Sequence, residues 1–142
     1  MNRNIELAFN VEQIGYGVKN GLTPEQIQLY TNPDFKPSQM KQIGLGFKNG
    51  LTMDQVVVYA DNKFTASQMQ EIRKGFEHGL SMEQVCSYAK PEFGASQMNV
   101  IGVAFHHGLS MKQVATFAKP EFDSFEMMDK YIEMSGAFQF NK

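Results

Sequence analysis

A Gly-Leu-Thr/Ser triplet recurs at Gly21, Gly50, Gly79 and Gly108, 29 residues apart each time. A period held without slippage over four copies constrains the fold more than any composition does, because each copy must then be the same supersecondary unit. Other positions keep the step: Met40, Met69, Met98 and Met127; Ile43, Ile72 and Ile101; Phe47, Phe76 and Phe105; Val56, Val85 and Val114. Tyr30, Tyr59, Tyr88 and Phe117 form an aromatic series, as do Phe35, Phe64, Phe93 and Phe122.

Within one copy Met40, Ile43 and Phe47 stand at i, i+3 and i+7, which predicts a helix A over residues 37–48 with one apolar face. Pro37 suits its first position, and Gly50 suits the left-handed residue that ends it. Thr23 with Gln26, Thr52 with Gln55, Ser81 with Gln84 and Ser110 with Gln113 form capping boxes that open a short helix B, about 53–60 in the second copy. Thr65 with Gln68 and Asp123 with Glu126 mark helix A starts in the same way. The small residue inside helix A (Gly17, Gly46, Gly75, Ala104) costs helix stability, so close approach of a neighbouring helix backbone is expected there. No segment alternates with the two-residue period of a half-buried strand.

One copy buries too little apolar surface to offset the entropy of ordering its backbone, so the copies must stack. The expected fold is all-α: about nine short helices in four 29-residue helix-turn-helix repeats, an α-solenoid-like array of either hand with a terminal capping helix. Residues 1–142 are read as one domain, with the terminal helix and tail at 123–142. With 13 basic and 15 acidic residues the net charge is −2, which gives no bulk attraction to phosphate or acidic lipid. A lone cysteine, Cys86, excludes an internal disulfide, and Glu6 stands where a signal peptide needs its apolar stretch, so a cytoplasmic setting is expected.

The sentence Gln-Met-x-x-Ile-x-x-Gly-Phe-x-x-Gly-Leu-Ser/Thr-x-x-Gln-Val-x-x-Tyr-Ala-x-Pro-x-Phe, clearest from Gln68 to Phe93, resembles tandem helical repeats of uncharacterised accessory proteins from bacterial plasmids, phages and conjugative elements. The resemblance covers nearly the whole chain. It implies a mobile-element setting and antagonism of host defence, and it implies no catalytic residue.

Catalysis needs polar groups converging on one place. Here His78 and His107 align with Asn20 and Asn49 just before the terminating glycine, where they suit helix C-terminal carbonyls. With His106 they carry no carboxylate or thiol at ligand spacing, and Cys86 aligns with Val57 and Ala115 as a packing residue. The chain is therefore read as non-enzymatic, without cofactor or metal. The stretch Gly46-x-x-x-Gly50-Leu51-Thr52-x-x-x-Val56 is like a helix-turn-helix, so a DNA-binding regulator is the alternative function. Against it, the second helices display Glu25, Met53, Asp54, Val57, Val58, Met82, Glu83 and Met111, and only Lys90, Lys112 and Lys119 near them are basic.

The preferred function is direct binding of a protein partner, in the form of an anti-defence factor that inhibits a host nuclease or defence complex. Positions that differ between copies are the expected contacts: Leu45, Lys74, Val100 and Val103 on helix A, with Val57 and Val58 on helix B. The last helix places Met127, Tyr131 and Met134 inward and adds a second stripe of Phe125, Met128 and Ile132, followed by Phe138 and Phe140. That stripe is read as a homodimer contact, the alternative being a tail folded back at Gly136.

Overall fold

The computed structural model describes residues 3–136, with side chains described from Val11 onward. Its described part is all-helical: α1 (Arg3–Lys19), α2 (Pro24–Tyr30), α3 (Pro37–Lys48), α4 (Met53–Tyr59), α5 (Ala66–Glu77), α6 (Met82–Cys86), α7 (Ala95–His106), α8 (Met111–Ala115) and α9 (Ser124–Ser135). Helices α3, α5, α7 and α9 begin 29 residues apart, and so do α2, α4, α6 and α8. The described backbone gathers into two compact units, which divide between Met69 and Gln70. In the first, α3 packs on α2 and α4, and in the second α7 packs on α8 and α9. Among the described residues no helix is long and apolar enough to cross a membrane.

The expected capping boxes close at each helix start that carries one. Thr52 Oγ1 accepts from the Gln55 N–H at 3.2 Å while Gln55 Oε1 accepts from the Thr52 N–H at 2.9 Å. The same reciprocal pair closes at Thr23, Thr65, Ser81, Ser110 and Asp123. At the other end of α3, Gly50 takes φ +93°, a backbone conformation that costs other residues strain. The Leu51 N–H then reaches back to the Gly46 carbonyl at 2.9 Å, and the Leu51 side chain is buried, so one glycine ends the helix and directs the chain into α4.

Helix B differs between the units. Helices α2 and α4 run to Tyr30 and Tyr59, whereas α6 and α8 stop at Cys86 and Ala115. The aligned residue is Leu29 or Val58 in the first unit and Ser87 or Thr116 in the second. Each hydroxyl donates to the carbonyl three residues back, Ser87 to Gln84 at 2.6 Å and Thr116 to Gln113 at 2.7 Å, where the last turn tightens into i to i−3 bonds.

The small residue in helix A has a different cause from the one expected. A Cβ built on Gly46 would collide with the Tyr59 hydroxyl, one on Gly17 with that of Tyr30, and one on Gly75 with that of Tyr88. The approaching group is thus a tyrosine hydroxyl of the same copy, in place of a helix backbone. The fourth copy agrees, since Phe117 lacks the hydroxyl and its partner position is Ala104, fully buried with its methyl.

Candidate partner surfaces

Of the residues expected to meet a partner, Val57 is the most open, 48% exposed on α4. Met53, one turn earlier on the same helix, is also exposed, with Asp54 beside it. The pattern returns in the second unit, where Met82 and Cys86 of α6 are exposed and Glu83 stands beside Met82. Positions four apart share a helical face, so each of these helices shows water an apolar pair with a carboxylate next to it. Val58 is half-buried and contributes an edge.

Val100 does not belong to any such surface. It is 4% exposed, because it lies seven residues before His107 on the side of α7 that faces α9. There His107 Nδ1 meets the Tyr131 hydroxyl in a short hydrogen bond. His107 is the residue that ends α7, as its alignment with Asn49 requires, but its ring engages Tyr131 where a contact with the last carbonyls was expected. Asn20 does make that contact, donating from Nδ2 to the Tyr16 carbonyl at 2.7 Å.

Leu45, Lys74 and Val103 occupy one register position, and all three are half-buried. Lys74 lies 3.4 Å from the Glu71 carboxylate, whose other oxygen accepts from Asn99 Nδ2 at 3.2 Å. Lys74 and Val103 line a shared cavity in the second unit, so they are walls of a hollow. Extending the register back one period places Tyr16 at the same position, a match that gives these residues a common structural setting.

On α9, Met127 and Tyr131 point inward as expected, but Met134 is exposed and accepts a contact from the Thr116 hydroxyl at 3.5 Å. The second stripe separates: Phe125 is 81% exposed, whereas Met128 and Ile132 are half-buried. Phe138 and Phe140 lie outside the described residues.

Sequence reasoning missed a further apolar surface. Val11, Ile14 and Val18 of α1 are exposed, although they align with Met40, Ile43 and Phe47, which are buried. The register was enough to reveal this alignment; the exposure was not legible in it.

Among the described residues no group of three or more His, Cys, Asp or Glu side chains is arranged to hold a metal ion. The His78 and His106 rings stand 5.7 Å apart, centre to centre. No family model, no curated protein and no solved structure matches the chain.

Proposed function

We propose that the chain is a non-enzymatic protein-binding repeat module, which acts as an accessory factor of a bacterial mobile element and inhibits a host nuclease or defence complex by direct binding. The observation that carries the binding role is the exposed apolar pair on helix B, Met53 with Val57 and Met82 with Cys86. Exposed methionine and valine atoms set in an otherwise amphipathic helix support an interface, and the neighbouring Asp54 and Glu83 favour a partner with basic groups around an apolar patch. The same carboxylates oppose the DNA-binding alternative, because a phosphate backbone repels them. The mobile-element setting rests on the repeat's sequence resemblance.

The test is capture of partners from a host lysate by the full chain and by a Met53→Lys, Val57→Lys variant, followed by titration of the captured protein. Both side chains are exposed, so the variant should keep its helical circular dichroism and bind at least tenfold more weakly. Unchanged affinity would remove helix B from the interface. A salt-dependent mobility shift of labelled duplex by the unaltered chain would favour the DNA-binding regulator instead.

A further inference from the structure

The first unit contains a template for reading the cavity of the second. In the first, the Tyr16 ring covers Gly44, its edge 3.4 Å from where a Cβ would stand, with the Tyr30 ring 4.0 Å away. In the second, Gly102 aligns with Gly44 and Tyr88 with Tyr30, but Lys74 stands in the place of Tyr16. The Lys74 ammonium is turned to Glu71, and nothing but Tyr88 comes within 4 Å of the Cβ position on Gly102. A space the first unit fills with a phenol ring is therefore open here, as part of a cavity of about 330 Å³ lined by Gly75, Tyr88, Gly102 and Val103 among others.

The wall of this cavity holds an unused hydrogen-bond donor. Tyr30 and Tyr59 donate to the carbonyls of Gln13 and Gln42, at 2.6 and 2.8 Å, but the Tyr88 hydroxyl has no partner although the residue is 1% exposed. Leaving such a group unsatisfied is destabilising, and an acceptor delivered into the cavity would relieve it. Gly75 gives its Cβ space to the Tyr88 hydroxyl, and Gly102 leaves the wall beside that hydroxyl free of a side chain, as a flat ring requires. At the rim, Glu71 is paired with Lys74 and bonded by Asn99, so these two charges offset each other, and the His78, His106 and His107 rings complete the lining.

We infer that this cavity is a small-molecule site for an uncharged, single-ring aromatic compound bearing a carbonyl or ring-nitrogen acceptor, its ring over Gly102 and its acceptor on the Tyr88 hydroxyl. The occupant supplies the ring that Tyr16 supplies in the first unit and the acceptor that Tyr88 lacks. A bare phenyl group would fill the space and leave the hydroxyl unsatisfied. The site is independent of the helix B surface proposed for the protein partner.

Benzamide is a suitable probe, titrated into the isotope-labelled full chain while the amide resonances of Gly75 and Gly102 are followed. Saturable shifts at both, with a dissociation constant on the order of 1 mM as expected of a nine-atom ligand, are the predicted result. Cyclohexanecarboxamide, which has no flat ring, and benzoate, which is charged, should each bind at least fivefold more weakly. Tyr88→Phe should weaken benzamide at least fivefold. Lys74→Tyr, which restores the first unit's residue, should abolish the shifts while raising the unfolding midpoint. No saturable shift at Gly75 and Gly102, equal binding of either analogue, or undiminished binding by folded Tyr88→Phe or Lys74→Tyr protein would each overturn the assignment.

Discussion

The pairing of glycine with tyrosine, and of alanine with phenylalanine, shows how a single oxygen atom sets the residue opposite it. Gly46→Ala should cost about 1–3 kcal/mol, because the new methyl overpacks against the Tyr59 hydroxyl in a filled core. Gly46→Ala combined with Tyr59→Phe reproduces the fourth copy and should recover most of that loss, which urea unfolding of the two variants would measure; equal losses would refute the pairing. Titration offers a second check at this scale. Burial first, and then the Glu71 carboxylate, push the Tyr88 hydroxyl well above the usual phenol range, and burial raises Tyr30 too. Above about pH 10 the unfolded chain therefore loses protons that the folded chain keeps. Stability should be unaffected by these groups below that pH and fall as pH rises beyond it, by up to about 1.4 kcal/mol per pH unit for Tyr88. The stability difference between the chain and Tyr88→Phe should stay constant with pH below that range and change only within it, with the variant falling less steeply.

At the scale of the element, the glutamine near the start of α3 and of α7 joins two jobs. Gln39 Oε1 accepts from the Lys36 N–H at 2.7 Å to cap α3, and its Nε2 donates to the Phe64 carbonyl at 2.7 Å. Gln97 does the same with Gly94 and with the Phe122 carbonyl, at 2.7 and 2.6 Å. At α9 the residue is Glu126, which caps but has no amide to donate. Gln97→Glu should keep the cap, lose the bond to Phe122 and cost about 1–3 kcal/mol, whereas Glu126→Gln should change thermal stability little. Similar effects of the two substitutions would contradict this division of roles. Helix existence, starts and caps were legible because local chemistry sets them: periodic apolar residues, Thr or Ser with Gln, and a terminating glycine. The early ends of α6 and α8 were not, since they follow from where two hydroxyl groups turn. Of the candidate contacts, Val57 was readable as an apolar residue on a polar face, whereas Val100 looked the same and is buried by packing against α9. The cavity was hidden because it is the absence of a ring, visible only when Tyr16 is set beside Lys74.

For the whole molecule, the 29-residue period is held to be the unit of folding, each copy drawing its burial from its neighbours. The ends of such a chain are where apolar surface stays open, and Phe125 on α9 is the most exposed of the large apolar residues described. Self-association through α9 predicts that sedimentation finds a dimer both for the full chain and for a version ending at Ser135; a dimer that appears only on truncation would support a folded-back tail, and monomers throughout would refute the contact. The period itself is tested most directly by deletion. Removing residues 51–79 joins Gly50 to Leu80 and takes out one whole period, while removing residues 51–65 joins Gly50 to Ala66 and takes out about half of one. Denaturant unfolding followed by circular dichroism should show the whole-period deletion still helical and cooperative at a lower midpoint, and the half-period deletion without a cooperative transition. Two deletions that unfold alike would contradict the account.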